Sequence, residues 1–359
     1  MQSSYSVIGL MSGSSLDGID LAHVTFGFEN GKWLFELGAT DCIPYDNEML
    51  IHLKNATATS GLELWQLHTD LGHYFGKKIA DFITVHNIAN VDFVASHGHT
   101  VFHFPKLKFT TQIGDGATIA ASSKQKVICD FRSADIANGG QGAPIVPIGE
   151  KYLFPDYKLF LNIGGIANIS IHSENKVIAY DCCVANQLLN HLASQKGMEY
   201  DKDGNIASSG NINEKLLHKL NAIPYHHQPF PKSLDNGFSK EVIIPIVESF
   251  AISIEDKMAT ANEYIATQIF NSIPTAQSEH QTILITGGGA FNKDLVSRIS
   301  KKTNTKVYIP DEKVVQFKEA LILAFMGVLR AQKKINVLCS VTGATIDTIN
   351  GAIYESSTS

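Results

Sequence analysis

This sequence has no apolar run long enough to cross a bilayer. The longest nearly pure one, ALILAFMGVL (Ala320–Leu329), falls far short of the roughly 20 residues a spanning helix needs. Nor is there an excess of positive charge: 29 Lys and Arg against 35 Asp and Glu leave a net charge of −6. That balance gives no reason to expect nucleic acid or an anionic membrane as a partner. No basic stretch precedes an apolar core in MQSSYSVIGL, so the N-terminus does not read as a secretory signal. The five cysteines (Cys42, Cys129, Cys182, Cys183 and Cys339) are odd in number, include a vicinal pair and never take C-x-x-C spacing. They read as idle thiols in a reducing compartment rather than a zinc or redox centre. A cytoplasmic protein is expected.

What is present is enough for a large folded chain. At 359 residues, with 44% hydrophobic and 18% charged residues, two domains are the first expectation. Three strand patterns open the first half, YSVIGLM, DLAHVTF and KWLFELGAT, and three more open the second, YKLFLNIGG, IANISIHS and NKVIAYD. Each triplet is followed by alternating helical and strand patterns, among them a long helix with Leu64, Leu67, Leu71, Phe75, Ile79 and Phe82 at helical spacing. A duplicated α/β unit follows from this repetition. The stretch from Ser208 to Phe238 shows no clear period and reads as a loop excursion, a candidate lid.

Five stretches carry chemistry. MSGSSLDGID (Met11–Asp20) places glycines, serines and two aspartates between strands, more residues than a plain hairpin uses. Glycine and serine donors there make an anion nest, and Asp17 or Asp20 suits a hydrated Mg²⁺. A decorated hairpin is the competing reading. LITGGGAFNKDLVSRI (Leu284–Ile299) runs a strand through glycines into a helix, but with neither G-x-G-x-x-G nor Walker spacing. ASHGHTVFHFP (Ala95–Pro105) holds His97, His99 and His103; the first two, two apart on a strand, are expected to share a face, and cleft-lining polar groups fit better than zinc. ICDFRSADIANGGQGAPIVP delivers Asp130, Arg132 and Asp135 after a strand. Arg132, held flat by the two aspartates, would clamp a carboxylate with its guanidinium fork, or else form an internal salt bridge. Asp181, in VIAYDCCVANQLL, is expected at the end of a strand, just before a helix, as general base or as helix N-cap.

Taken together, GLMSGSSLDGIDLA, SHGHTVFH, QIGDGATIA, DFRSADIANGGQGAPIVP, LNIGGIANIS, ITGGGAFN and KEALILAF resemble the anhydro-N-acetylmuramic acid kinase family, in the family's order and over nearly the whole chain. The resemblance implies an α/β fold of two duplicated actin-like (ribonuclease H-like) ATPase domains around a central cleft. It also implies ATP and Mg²⁺ as cofactors, a small sugar as substrate, and a homodimer. The implied reaction opens 1,6-anhydro-N-acetylmuramic acid with water and phosphorylates O6, giving N-acetylmuramic acid 6-phosphate in cell-wall recycling.

By the same resemblance the ATP site comprises Gly13, Ser14, Ser15, Leu16, Asp17, Gly18, Ile19 and Asp20, with Gly287, Gly288 and Asn292 on the adenosine side. His97, Thr100, Arg132 and Asp135 contact the substrate, Asp181 is the base, and Glu319 is a second carboxylate. No residue is assigned as a direct metal ligand. The first domain is expected over 1–136 plus 335–359 and the second over 137–334. Two departures stand out: DCCVAN replaces the family's usual D-T-G-P-G-N, and His99 stands where Gln is usual. If the turn needs φ > 0 at Cys183 or Ala185, their Cβ atoms would strain it. A non-catalytic nucleotide-binding regulator and a kinase for another anhydrosugar are the alternative readings.

Overall fold

The computed structural model describes residues 4–13, 16–174, 176–230, 232–235, 237–273, 282–303 and 305–356. The chain divides into two compact units, Met1–Pro155 with Phe317–Ser359, and Asp156–Gln316. Among the described residues no helix is long and apolar enough to cross a membrane.

In chain order the first unit begins with β1 (Ser4–Ser12), β2 (Ile19–Glu29), β3 (Lys32–Ile43), α1 (Asn47–Asn55) and α2 (Gly61–Val85). It continues with β4 (Phe93–Phe104), β5 (Phe109–Ile113), α3 (Gly116–Ser123), β6 (Val127–Cys129), α4 (Ser133–Ala137) and α5 (Pro147–Leu153). The second unit holds β7 (Leu159–Ile163), β8 (Ile166–His172), β9 (Val177–Val184), α6 (Asn186–Ser194), α7 (Asn205–Ser209), α8 (Glu214–Asn221), α9 (Ile244–Glu248) and α10 (Ile254–Ser272). After β10 (Thr282–Thr286), α11 (Lys293–Thr303) and β11 (Lys306–Tyr308), helix α12 (Glu312–Ala331) carries the chain back to the first unit. There α13 (Cys339–Thr342) and β12 (Ala352–Tyr354) complete it.

Both sheets are built alike. In the first the order is β12-β6-β4-β1-β2-β3, with β5 also paired to β4; in the second it is β11-β10-β7-β8-β9. In each, three antiparallel strands are followed by strands that lie parallel to the first of the three. The expected duplication is therefore present, in the ribonuclease H-like order. β12, a short strand added antiparallel to β6, has no counterpart in the second sheet among the described residues.

The cores follow from sequence period. α2 starts at a capping box between Ser60 and Glu63 and buries Leu67, Leu71, Phe75, Ile79 and Phe82 on one stripe. β10 is buried on both faces, as a parallel strand under helices should be. The expected loop excursion at 208–238 contains two-turn helix α8. Asn213 caps Leu216 N at 3.0 Å, and Leu216 and Leu220 are fully buried; two turns are too short a window for periodicity to stand out.

The first unit takes more of the chain than the limits read from sequence: its first segment ends at 155 rather than 136, and its second begins at 317 rather than 335. α5 belongs to the first unit because it packs on β3, and because Gly149 lies so near α12 that a Cβ would sit 2.5 Å from Ile322 Cγ1. The later part of α12 belongs there because it lies against β1: a Cβ on Gly9 would come within 1.9 Å of the Ala320 carbonyl oxygen. Backbone cannot yield as a flexible side chain does. Gly9→Ala is therefore expected to destabilise the protein by roughly 1–3 kcal/mol or more, read as a lower midpoint in urea unfolding.

Candidate active site

In the first unit the hairpin loop between β1 and β2 is shorter than the sequence implied. Pairing extends to Ser12 opposite Ile19, so Ile19 and Asp20 are strand residues. Ser14 and Ser15 lie outside the described residues. Gly13 accepts a hydrogen bond from Leu16 N at 3.3 Å, and Leu16 takes φ 62° with its side chain packed on the core. Gly18 has φ 147°, and a Cβ there would sit 2.2 Å from the Ile43 carbonyl oxygen. Ile19 is fully buried, so it shapes the loop from within and offers a ligand no side chain. Asp17 is exposed, while Asp20 is partly buried; burial raises the carboxyl of Asp20, the Cys42 thiol opposes the rise, and the charge of Asp17 adds to it.

Arg132 stands at the start of α4, after Asp130 in the left-handed region (φ 62°). The two flanking aspartates do not hold it. Its Nε donates to His97 Nε2 at 2.8 Å and its Nη1 to the Gly142 carbonyl at 2.5 Å. His97 accepts because its other nitrogen, Nδ1, lies 3.0 Å from the Gly98 carbonyl and must carry the proton. Burial, then the Arg132 charge, push His97 down to about 3, which keeps the imidazole neutral. Asp130 caps Ser133 N at 3.1 Å instead.

Asp135 is fully buried. Its Oδ2 accepts from Gly142 N at 2.8 Å and its Oδ1 from Thr342 Oγ1 at 2.7 Å. It thus holds the loop whose Gly142 carbonyl holds Arg132, and a Cβ on Gly140 would overlap its carboxylate at 2.1 Å. Asp135 and His97 are therefore in place to orient Arg132, whereas direct substrate contact was expected of them. Thr342 and Asn350, whose Oδ1 accepts from Asp135 N at 3.1 Å, complete the support. They come from the far end of the chain, and no local pattern announces them.

His97 and His99 do not share a face. Gly98 takes φ 74°, and the β1–β4 register shifts there. His99 Nδ1 meets Ser12 Oγ at 2.9 Å, which in turn meets Tyr45 OH at 2.6 Å. Thr100 is half-buried and its Oγ1 accepts from Gln112 Nε2 at 3.2 Å. Glu319, on α12, keeps access to solvent, yet the protein packed around it raises its carboxyl; the charges of Arg132 and Lys318 oppose that rise and Asp20 reinforces it. Arg132 itself is lowered by burial to about 10, with Glu319 and Asp135 acting against the shift. Asp20, Arg132 and Glu319 thus share one electrostatic environment. Among the described residues no group of three or more His, Cys, Asp or Glu side chains could hold a metal ion.

In the second unit three pieces meet at the end of β7. The hairpin tip Gly164–Gly165 accepts the first N–H groups of α6: Ala185 N and Gln187 N reach the Gly165 carbonyl at 2.9 and 3.2 Å, and Asn186 N the Gly164 carbonyl at 3.0 Å. Asn186 Nδ2 donates to the Ile163 carbonyl at 3.1 Å. The glycine turn after β10 lies against the same strand end: Gly287 has φ 80°, and a Cβ there would lie 2.7 Å from Asn162 Oδ1, while one on Gly289 would lie 2.2 Å from Ile163 Cγ2. A Cβ on Gly288 would make only ordinary contact, with Asn186 Nδ2 at 3.6 Å. Asn292 is buried and its Oδ1 accepts from Leu295 N at 3.0 Å, so it caps α11 rather than facing a ligand. The residues the sequence reading left out here are Asn162, Gly164 and Gly165, although the paired glycines marked the tip.

Asp181 lies within β9, not at its end, and α6 begins after Ala185, which makes no side-chain cap. The helix-cap reading falls. Asp181 Oδ2 accepts from Leu234 N at 2.9 Å; burial raises its carboxyl and that N–H opposes the rise. The altered turn asks for no positive φ: Ala185 has φ −126°, Cys183 is likewise not in the left-handed region, and both are fully buried in the core.

Two sheets of this order, with glycine-bearing turns at their strand ends, give the chain the fold of the actin-like ATPase class. The sequence profile of the anhydro-N-acetylmuramic acid kinase family matches residues 5–356. A curated anhydro-N-acetylmuramic acid kinase from Hydrogenovibrio crunogenus is 33% identical over 366 residues, covering 97% of both chains. That of Aliivibrio fischeri is 37% identical over 306 residues, 81% of this chain and 82% of its own. Among solved structures, a hexokinase from Schistosoma mansoni complexed with glucose is similar at a TM-score of 0.42 and 11% identity, over 89% of this chain and 84% of that one. The chain belongs to the anhydro-N-acetylmuramic acid kinase family, and is an ATP-using kinase.

The buried neutral histidines give a pH test. The unfolded chain takes up a proton on each near pH 6.5, whereas His97 holds out to about 3 and His99 to about 4. Below 6.5 the unfolded state binds more protons, so stability falls as pH is lowered from 6.5 toward 4. His97→Gln, which can still accept from Arg132, should flatten that slope in denaturant unfolding measured across the range while leaving stability at pH 8 little changed.

Proposed function

We propose that the chain transfers the γ-phosphoryl group of ATP to O6 of 1,6-anhydro-N-acetylmuramic acid while water adds at C1 and opens the anhydro bridge. The products are ADP and N-acetylmuramic acid 6-phosphate, a step of cell-wall recycling. The observation that carries this reading is the likeness, along 97% of both lengths, to a curated kinase of that name.

The roles divide by chemistry. Asp181 takes the proton of the attacking water; its raised carboxyl keeps it a better base than a free aspartate. Glu319 is the second carboxylate, assisting from beside Arg132. The remaining N–H groups of Arg132 take the substrate's lactyl carboxylate, with His97 and Gly142 fixing the plane of the guanidinium. Thr100 adds a hydroxyl to the sugar side. Backbone N–H groups of the 13–18 loop cradle the ATP phosphates, and the Gly287–Gly288 turn receives the adenosine. Mg²⁺ asks only one or two carboxylates besides phosphate oxygens and water, and Asp17 with Asp20 fits that need. Bound with ATP, it neutralises charge on the phosphates. A cytoplasmic enzyme suits a substrate that needs ATP.

Coupled ADP release, with and without the anhydrosugar, tests the reading; wild-type protein that binds ATP but releases no sugar-dependent ADP would overturn it. Asp181→Asn keeps the acceptor for Leu234 N and removes basicity, so kcat should fall by roughly 10²–10⁴. Arg132→Lys keeps the charge and loses the fork. KM for the sugar should rise while KM for ATP stays nearly constant, and equal effects on both would assign Arg132 to structure alone.

A further inference from the structure

Glu319 is preceded on α12 by a charged residue that the core would be expected to exclude. Lys318 Nζ lies 2.6 Å from Glu150 Oε1 on α5, and the two side chains are only 6% and 4% exposed. Burying such a pair costs desolvation that the mutual attraction barely offsets, so stability alone is a weak reason to keep it. The pair is also unnecessary for bringing the helices together, since Gly149 and Ile322 already place α5 and α12 in contact. Its location is more telling. Phe317, the residue before it, has φ −108° and ψ 17° and breaks the helix. A break releases the residues that follow from the rotational register of those before it. Lys318 is the first side chain after the break, and it is anchored. Neighbouring residues on a helix point about 100° apart, so fixing Lys318 against α5 fixes the direction of Glu319 as well.

We propose that Lys318 and Glu150 are a positioning pair: their buried contact sets the direction of α12 where it restarts, and so the place of the Glu319 carboxylate relative to Arg132. This rests on the reading of Glu319 as the assisting carboxylate. The groups that face Glu319 come from three elements, Arg132 at the start of α4, Asp20 on β2 and Lys318 beside it. Lys318 therefore acts on Glu319 twice, by holding the helix and by favouring the ionised carboxylate.

The test compares steady-state kinetics of the full chain carrying Lys318→Met with Glu150→Leu, Glu150→Asp, and Glu319→Gln as the reference. An apolar pair of similar volume often replaces a buried ion pair without loss of stability. The double variant should fold and keep KM for ATP and sugar within about threefold. Its kcat should drop about 10- to 100-fold, as a misplaced catalytic group does. Its acid limb in the pH profile of kcat should move upward, because a cation that favoured ionised Glu319 is gone. Glu150→Asp retains both charges and shortens the tether, so kcat should fall several-fold with KM unchanged. Should the double variant not fold, this shorter tether decides. A folded double variant with wild-type kcat and acid limb, or a wild-type kcat in Glu150→Asp, would overturn the proposal. If Glu319→Gln itself keeps wild-type kcat, the reading of Glu319 fails and the pair's role falls with it. If Glu319→Gln is slow while both pair variants are not, only the pair's role is lost.

Discussion

At Gly9 no side chain separates β1 from the helix that crosses it. Gly9 lies against the backbone of Ala320, Gly327 against Phe93 and Ala95, and Gly149 on α5 against Ile322. These three glycines set the distance at which α12 lies on the first sheet and on α5. A methyl group at any of them would have to move a neighbour, and at Gly9 that neighbour is backbone. Glu319 sits one residue before Ala320, so the close approach that packs the helix also bounds how far a carboxylate beside it can move relative to Arg132 and Asp20. Core packing and site geometry are here one constraint, enforced by the density at which protein interiors are filled.

Beside that helix the first unit holds a guanidinium with neutral partners. Arg132 is oriented by an imidazole that burial keeps unprotonated and by a carbonyl, not by a carboxylate. A carboxylate partner would neutralise the guanidinium and compete with an anionic ligand; a neutral acceptor fixes its plane and leaves the charge available. The charge of Asp135 is spent one step further out, on Gly142 N and Thr342 Oγ1. In the second unit Asp181 is treated differently. It lies in the sheet, raised by burial, with one backbone N–H of the 232–235 segment on its carboxylate. Burial raises the proton affinity of this carboxyl, and the single N–H donor opposes the rise.

The departure at DCCVAN shows how a turn can change without the site collapsing. Cys182, Cys183 and Val184 continue the strand and, with Ala185 after it, are buried in the core, where thiols and small apolar groups are well placed. The glycines that matter in this unit are Gly164 and Gly165, which take the N-terminus of α6 onto the hairpin tip, and Gly287, which needs its positive φ. A positive φ is needed after β10, at Gly287, and not in the turn between β9 and α6.

Much of this was legible from the residues alone. Period and turn chemistry marked the three opening strands of each half, the stripe of α2 and the duplication, because those signals are local and repeat every two or every three to four residues. The motifs marked which residues carry charge near strand ends. What remained hidden was long-range. The division at 155 and 317 depends on helices that pack across more than 150 residues of sequence. The split between His97 and His99 depends on a bulge set by the pairing of β4 with β1. The roles of Asp135 and Asn292, one holding a loop and one capping a helix, depend on which neighbours reach them. Sequence determined which side chains could ionise, turn or pack; only the tertiary structure decided which of them face a ligand and which are consumed in holding the others, because a hydrogen bond or a buried charge is defined by partners the chain brings together only when it folds.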